Sequence, residues 1–336
     1  MLKIMKSIGL MLGIAGSSLL AAPSGTAYTA NERDATISQV ALATGQVKQI
    51  SLTIAPHNVQ ISPDGQWLLA VGMPPATGMH AGMAGMGQLQ VFQTGQMGAP
   101  AFVLPAGNHP AHVVTDLSGQ RAFVTDSAAN AVLVYDLASR KQTGRIPTGA
   151  YPHGLRLSPA GDQLFVANMQ DNSVSVISVA SLTEVARIPV GRAPVQVGFS
   201  PDGKRVYVSL SGEDALGVID TRTRKLVARI PVGHVPVQMQ ASPDNRQVFV
   251  ANQGNKARPN DTVSVIDPAT QQVKVTVTTG KGAHGVALAD QGAYVLVTNM
   301  DAGTLSVIDA TSLQVVATYP VGAGPNGITW QAGQTP

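Results

Sequence analysis

The stretch "DQLFVANMQDNSVSVISVASLTEVARIPVG", residues 162–191, sets Leu164, Val166, Val174, Val176, Val185 and Ile188 at strand spacing, with a polar gap after Asn168. The same grammar returns as "KRVYVSLSGEDALGVIDTRTRKLVARIPVG" (204–233), "RQVFVANQGNKARPNDTVSVIDPATQQVKVTV" (246–277) and "AYVLVTNMDAGTLSVIDATSLQVVATYPVG" (293–322). Pro110, Pro152, Pro194, Pro236, Ala283 and Pro325 open successive copies at steps of 42, 42, 42, 47 and 42 residues, and Pro56 opens an earlier one. Each copy reads as a strand, a Ser-Pro-Asp-Gly-like turn, a second strand, a short gap, a third strand ending near Ile-Asp, and a fourth strand. Four strands per period of this length make one propeller blade.

Six full copies begin at Pro56, Pro110, Pro152, Pro194, Pro236 and Ala283. The chain then ends in a lone first strand, "PNGITWQAGQTP", while "AYTANERDATISQVALATGQVKQISL" near the N-terminus supplies the other three, with Asn31 where Asn168, Asn252 and Asn299 fall. The expected fold is all-β: a seven-bladed β-propeller whose last blade is closed by N- and C-terminal strands, so that no sheet edge stays open.

Composition agrees. Only 12% of residues are charged and 4% aromatic, against 44% hydrophobic and 35 glycines, so Val, Ile, Leu and Ala must fill the core between short strands. Lys3 and Lys6 precede an uncharged apolar run from Ile8 to Ala22, the pattern of an export signal. The expected organisation is a signal peptide over 1–22 and a single propeller domain over 23–336, periplasmic and monomeric, with no membrane span after cleavage. With no cysteine there is no lipoprotein anchor, disulfide or c-type haem attachment. Removing Lys3 and Lys6 lowers the formal charge from +3 to +1, which with the lack of a stacking platform argues against nucleic acid.

The motifs Phe165-Val166-Ala167-Asn168, Phe249-Val250-Ala251-Asn252 and Val297-Thr298-Asn299, followed by "VSVID" at Val263–Asp267 and "LSVID" at Leu305–Asp309, resemble the YVTN β-propeller repeat. The repeat is also similar to the propellers of cytochrome-type nitrite reductases and of seven-bladed lactonases. The resemblance implies an exported propeller and little about chemistry. The sequence departs from it at Gly72 and Leu210, which stand where the asparagine is expected.

Three features bear on function. His57, His112, His153 and His284 lie at the start of their copies, where first strands enter a central channel; neutral imidazole is a ligand for copper, zinc and iron. The insertion "GMPPATGMHAGMAGMGQ" (72–88) carries Met73, Met79, His80, Met83 and Met86, soft donors suited to copper in a run like those of periplasmic copper-handling proteins. Arg192, His234 and Lys281, each two residues before a blade opening, form an arc of cations fit for a small anionic ligand. No nucleophile elbow, Walker loop, dinucleotide fingerprint or His-Glu-x-x-His occurs. The leading expectation is a periplasmic protein that binds a ligand or partner protein through this face, with or without a transition metal. The alternatives are a copper-binding protein using loop 72–88, and an enzyme, lactonase-like or cofactor-maturing, with His153 and His284 as acid–base groups.

Overall fold

The computed structural model describes residues 23–75 and 85–333. Seven four-stranded antiparallel sheets form a ring, six of them built from consecutive strands. The seventh takes its inner strand, Pro325–Gln331, from the C-terminal end and the other three, Thr26–Asn31, Thr36–Ala41 and Gln46–Ser51, from the N-terminal end. Thr26 pairs with Gln331 and Asn31 with Pro325, so the ring closes by strand pairing as the repeat count predicted.

Local chemistry explains the elements. In the turn after the inner strand, Ser62 Oγ accepts from the Trp67 amide (3.0 Å) and Gly65 takes φ 71°, a left-handed value glycine adopts without a Cβ penalty. Asp136, Asp220, Asp267 and Asp309 accept backbone N–H bonds from the turn that follows the third strand, so they shape turns. The repeat asparagine is a buried clamp: Asn168 Nδ2 donates to Ser173 Oγ (3.0 Å) and Ser175 Oγ (2.9 Å), and Asn299 Nδ2 to Thr304 Oγ1 and Ser306 Oγ (both 2.9 Å). In blade four Leu210 replaces the asparagine, and Gly217 replaces the serine beneath it. The departure is a matched pair in which a Cβ on Gly217 would stand 3.4 Å from Leu210 Cδ1.

The core lies between blades. Leu69, Val71 and Val91 of blade one meet Val113, Val124 and Leu133 of blade two, and the same interleaving recurs around the ring. Phe92, Phe123, Phe165 and Phe249 are fully buried, while outermost strands such as Lys225–Pro231 alternate between exposed and covered residues.

The inner strands also hold the feature that builds the site. Pairing with the second strand is interrupted just after the opening residue: between Pro110 and Val113, Pro152 and Leu155, Pro194 and Val197, Pro236 and Met239, and Ala283 and Val286. Such a bulge leaves two residues out of the ladder and re-aims them. A hydroxyl on the second strand takes over the lost bond and ties the next blade: Thr125 Oγ1 accepts from the His112 amide (3.0 Å) and donates to the His153 carbonyl (2.7 Å). Ser209 does the same for Gln196 and Val237.

Candidate functional site: an imidazole collar in the channel

At this bulged level the seven inner strands contribute His57, Asn58, His112, His153, Gln196, Gln238, His284 and Asn326. Three of the imidazoles meet. The ring nitrogens that His57, His112 and His153 can offer all lie within 4.8 Å of one another. Their ring centroids stand 5.7 Å (His57–His112), 5.1 Å (His57–His153) and 5.0 Å (His112–His153) apart. Blades one, two and three thus converge on one point. Gly154 permits this packing, since a Cβ there would lie 2.3 Å from Gln196 Oε1.

The hydrogen bonds fix which nitrogens are free. His153 Nδ1 donates to the Val195 carbonyl (3.1 Å), leaving its Nε2 bare in the neutral ring, and His284 Nδ1 likewise donates to the Asn326 carbonyl (3.1 Å). His57 Nδ1 lies 3.3 Å from Glu32 Oε1 and 3.1 Å from Asn326 Nδ2, while Asn326 Nδ2 also donates to Glu32 Oε2 (2.8 Å). His57 Nε2 faces His153 Nε2 at 3.1 Å. Two tautomers of His57 satisfy this network. In one, Nδ1 accepts from Asn326 and Nε2–H donates to His153. In the other, Nδ1–H donates to Glu32 and two bare Nε2 lone pairs face each other, which requires a cation between them. His112 differs: Gln196 Oε1 accepts from the Val197 amide (2.8 Å), so Gln196 Nε2 points at His112 Nδ1 (3.3 Å) and puts the ring proton on Nε2. For His112 to ligate through Nε2, the Gln196 side chain must turn.

Burial keeps the His112, His153 and His284 rings neutral. Desolvation first, and then the charge of His57, pulls His153 down to about 3 and His284 to about 4; desolvation with the charges of His153 and His57 takes His112 well below the ordinary histidine value. Burial alone would raise Glu32, but its hydrogen bond and charge interaction with His57, with help from Asn326, hold it at about 2, so it is an anion beside the collar.

These residues fit a metal ion. Two nitrogens each about 2.0–2.1 Å from a tetrahedral ion lie about 3.3 Å apart, close to the observed His57–His153 spacing. Metal-binding histidines as a rule donate their other ring N–H to a carboxylate or a backbone carbonyl, the roles Glu32 and the Val195 carbonyl fill here. Gln238 Nε2 and Asn326 Oδ1 are buried without a hydrogen-bond partner among the described residues, so the collar retains polar capacity for a ligand.

The remaining predicted residues lie elsewhere. Arg192 and Lys281 are exposed on the rim. His234 is on the rim too, its Nδ1 2.9 Å from Asp214 Oδ2 and 2.8 Å from Arg258 Nη1; no bond among the described residues links it to Arg192 or Lys281. Met79, His80 and Met83 fall outside the described residues. Met73 ends the second strand of blade one, and Met86 is 58% exposed. Gly72 pairs with Pro56, and Gly87 presses on Pro110, where a Cβ would meet the ring at 2.3 Å; loop 72–88 therefore leaves and rejoins the fold at the channel mouth.

Sequence reasoning missed Glu32, Gln196, Gln238 and Asn326. The last three were within reach, because they occupy the first or second place after the opening residue, as the histidines do. Glu32 gave only a weak signal, its place directly after Asn31, and its partner His57 is 25 residues away.

Residues 155–258 and again 229–334 match the family described as YNCE-like beta-propeller. The chain belongs to that family. No curated protein matches it. Among solved structures, hydrazine synthase of Kuenenia stuttgartiensis is similar at 18% identity and a TM-score of 0.71, over 85% of this chain and 98% of that one. The dihydro-heme d1 dehydrogenase NirN in complex with DHE aligns at 17% identity and a TM-score of 0.67, over 93% of this chain and 76% of that one. A putative 6-phosphogluconolactonase from Bacteroides uniformis aligns at 14% identity and a TM-score of 0.74, over 92% of this chain and all of that one. These likenesses establish the shared propeller fold.

Proposed function

We propose that this propeller is a metal-dependent binding protein, in which His57, His112 and His153 hold one transition-metal ion, Cu(II) or Zn(II), and the ion together with Gln238, His284 and Asn326 receives a small ligand at the channel mouth. The observation that carries this is the 3.1 Å approach of His57 Nε2 to His153 Nε2, with His153 Nδ1 committed to a carbonyl and a carboxylate beside His57 Nδ1. Imidazole donors suit zinc and copper, and desolvation keeps His112 and His153 in the neutral, ligating form. Competition titration of the purified protein against a chromophoric chelator tests the reading: one equivalent of metal is expected, and the His57→Ala, His153→Ala double variant should lose it. Stoichiometric binding that survives that double variant would refute the assignment.

A second reading has its own support. Loop 72–88 joins the fold at Pro56 and Pro110, which precede His57 and His112 in the chain, and Met79, His80 and Met83 would supply a softer site for Cu(I). Replacing Met79, Met83 and Met86 by Leu abolishes Cu(I) binding if this is the site, and leaves it intact if the imidazoles suffice. Export rests on Lys3, Lys6 and the apolar run to Ala22; among the described residues no helix is long and apolar enough to cross a membrane. Recovery of the full-length protein from the cytosol after cell fractionation would contradict a periplasmic location.

A further inference from the structure

The inner strands that carry the collar continue to the other end of the channel. His153 and Arg156 share the strand Pro152–Leu157, three residues or about 10 Å apart along it. Around Arg156 lie two adjoining lobes of about 500 Å3 and about 430 Å3, which share Arg156, Leu157, Pro159, Gln240, Leu288 and Trp330. A cavity of this size suits one small organic molecule.

Among the described residues no carboxylate pairs with Arg156, and its side chain's one hydrogen bond there runs from Nη1 to the carbonyl of its neighbour Leu155 (3.0 Å). Arg156 keeps partial exposure to the lumen, and desolvation by the protein packed around it lowers its pKa to about 10. Asp116 also lines the larger lobe, yet its carboxylate is already taken: Oδ2 accepts from Arg121 Nε (3.0 Å), and Oδ1 from Ser118 Oγ and the Gln120 and Arg121 amides. A half-buried guanidinium that faces a cavity with no carboxylate on it is poised to pair with an arriving anion. Its unused N–H groups form the planar fork that matches a carboxylate. The smaller lobe is lined mostly by apolar groups, Trp330, Phe199, Leu157 and Leu288, with the Gln240 amide beside them.

We infer that this end of the channel is a second binding site, for a small organic carboxylate with an aromatic or branched apolar body, its carboxylate on Arg156 and its body against Trp330 and Leu288. The site shares no residue with the imidazole collar, so its failure would leave the metal reading untouched, and the reverse holds too.

Calorimetric titration with benzoate, with benzamide as the neutral isostere and inorganic phosphate as the bare anion, tests this on the full chain. Benzoate should bind at least about tenfold more tightly than either control. Arg156→Gln should cost at least tenfold in benzoate affinity without lowering Tm, because it removes a desolvated charge. Trp330→Ala, which keeps the charge, should weaken benzoate and leave the weak phosphate signal unchanged, and it serves alone should Arg156→Gln misfold. Equal binding of benzoate and benzamide, unchanged benzoate affinity in a folded Arg156→Gln or Trp330→Ala protein, phosphate binding as tight as benzoate, or no benzoate binding at all would each overturn the inference.

Discussion

His57 Nε2 and His153 Nε2 face each other at 3.1 Å across the channel, brought there from blades 96 residues apart in sequence. The contact exists because each inner strand breaks its ladder just after its opening residue and turns that stretch toward the axis. Closure of the ring sets which blades meet.

Glu32 orients His57 from the neighbouring seventh blade. Replacing it with Gln keeps the shape and removes the charge behind Nδ1. A carboxylate of this kind supports metal affinity by about 10–100-fold. We expect Glu32→Gln to weaken Zn(II) by that factor in a competition titration with little change in Tm; an unchanged affinity would show that Glu32 serves only the local hydrogen bonds.

Acid should destabilise the metal-free protein in a defined window. His153 and His284 have folded values of about 3 and about 4, below an unfolded value of about 6.5, so the unfolded chain takes up the extra protons. Their contribution is therefore intact above about pH 6.5 and shrinks as pH falls toward 4. At pH 5 each residue accounts for about 2 kcal/mol of lost stability. Glu32, held at about 2, adds a loss only below its ordinary value near 4.5. Urea melts at pH 7 and pH 5 check this, and equal midpoints would contradict the neutral, buried collar.

Gln196 should act as a brake on His112. With its Oε1 held by the Val197 amide, its NH2 favours the His112 tautomer whose Nε2 is protonated. Gln196→Glu places an acceptor beside Nδ1 and frees Nε2, so metal affinity should rise, by roughly the 10–100-fold typical of such outer partners. A fall in affinity would exclude Nε2 of His112 as a ligand.

The asparagine clamp makes a prediction about the fold alone. Asn299→Ala removes one buried and one half-buried bond and strands Thr304 and Ser306, at a cost of roughly 1–3 kcal/mol. Chemical denaturation should register this, whereas metal affinity should not move. Blade four does without the clamp because Leu210 and Gly217 changed together.

The fold was legible because one period repeats, and each copy's turn chemistry, Ser-Pro-Asp-Gly and Ile-Asp, is local. Closure was legible for the same reason: a leftover first strand and three leftover partners complete one blade. The site was legible only in outline. His57, His112, His153 and His284 stood out as the histidines placed just after the openings, but nothing in the spacing says that His57, His112 and His153 share one point while His284 stands apart beside Asn326. That depends on ring geometry and on Gly154 letting Gln196 close in. Arg156 was invisible for a different reason: an arginine in a strand reads as a solvated face, and only the ring shows that its face is a lumen.

X-ray absorption at the metal edge of protein loaded with one equivalent of Cu(II) or Zn(II) reads the ligand set itself. A first shell of nitrogen and oxygen donors at about 2.0–2.1 Å, including three imidazoles, is expected. A shell containing sulfur, which would come from the methionines of loop 72–88, or one with fewer than two imidazoles, would contradict it.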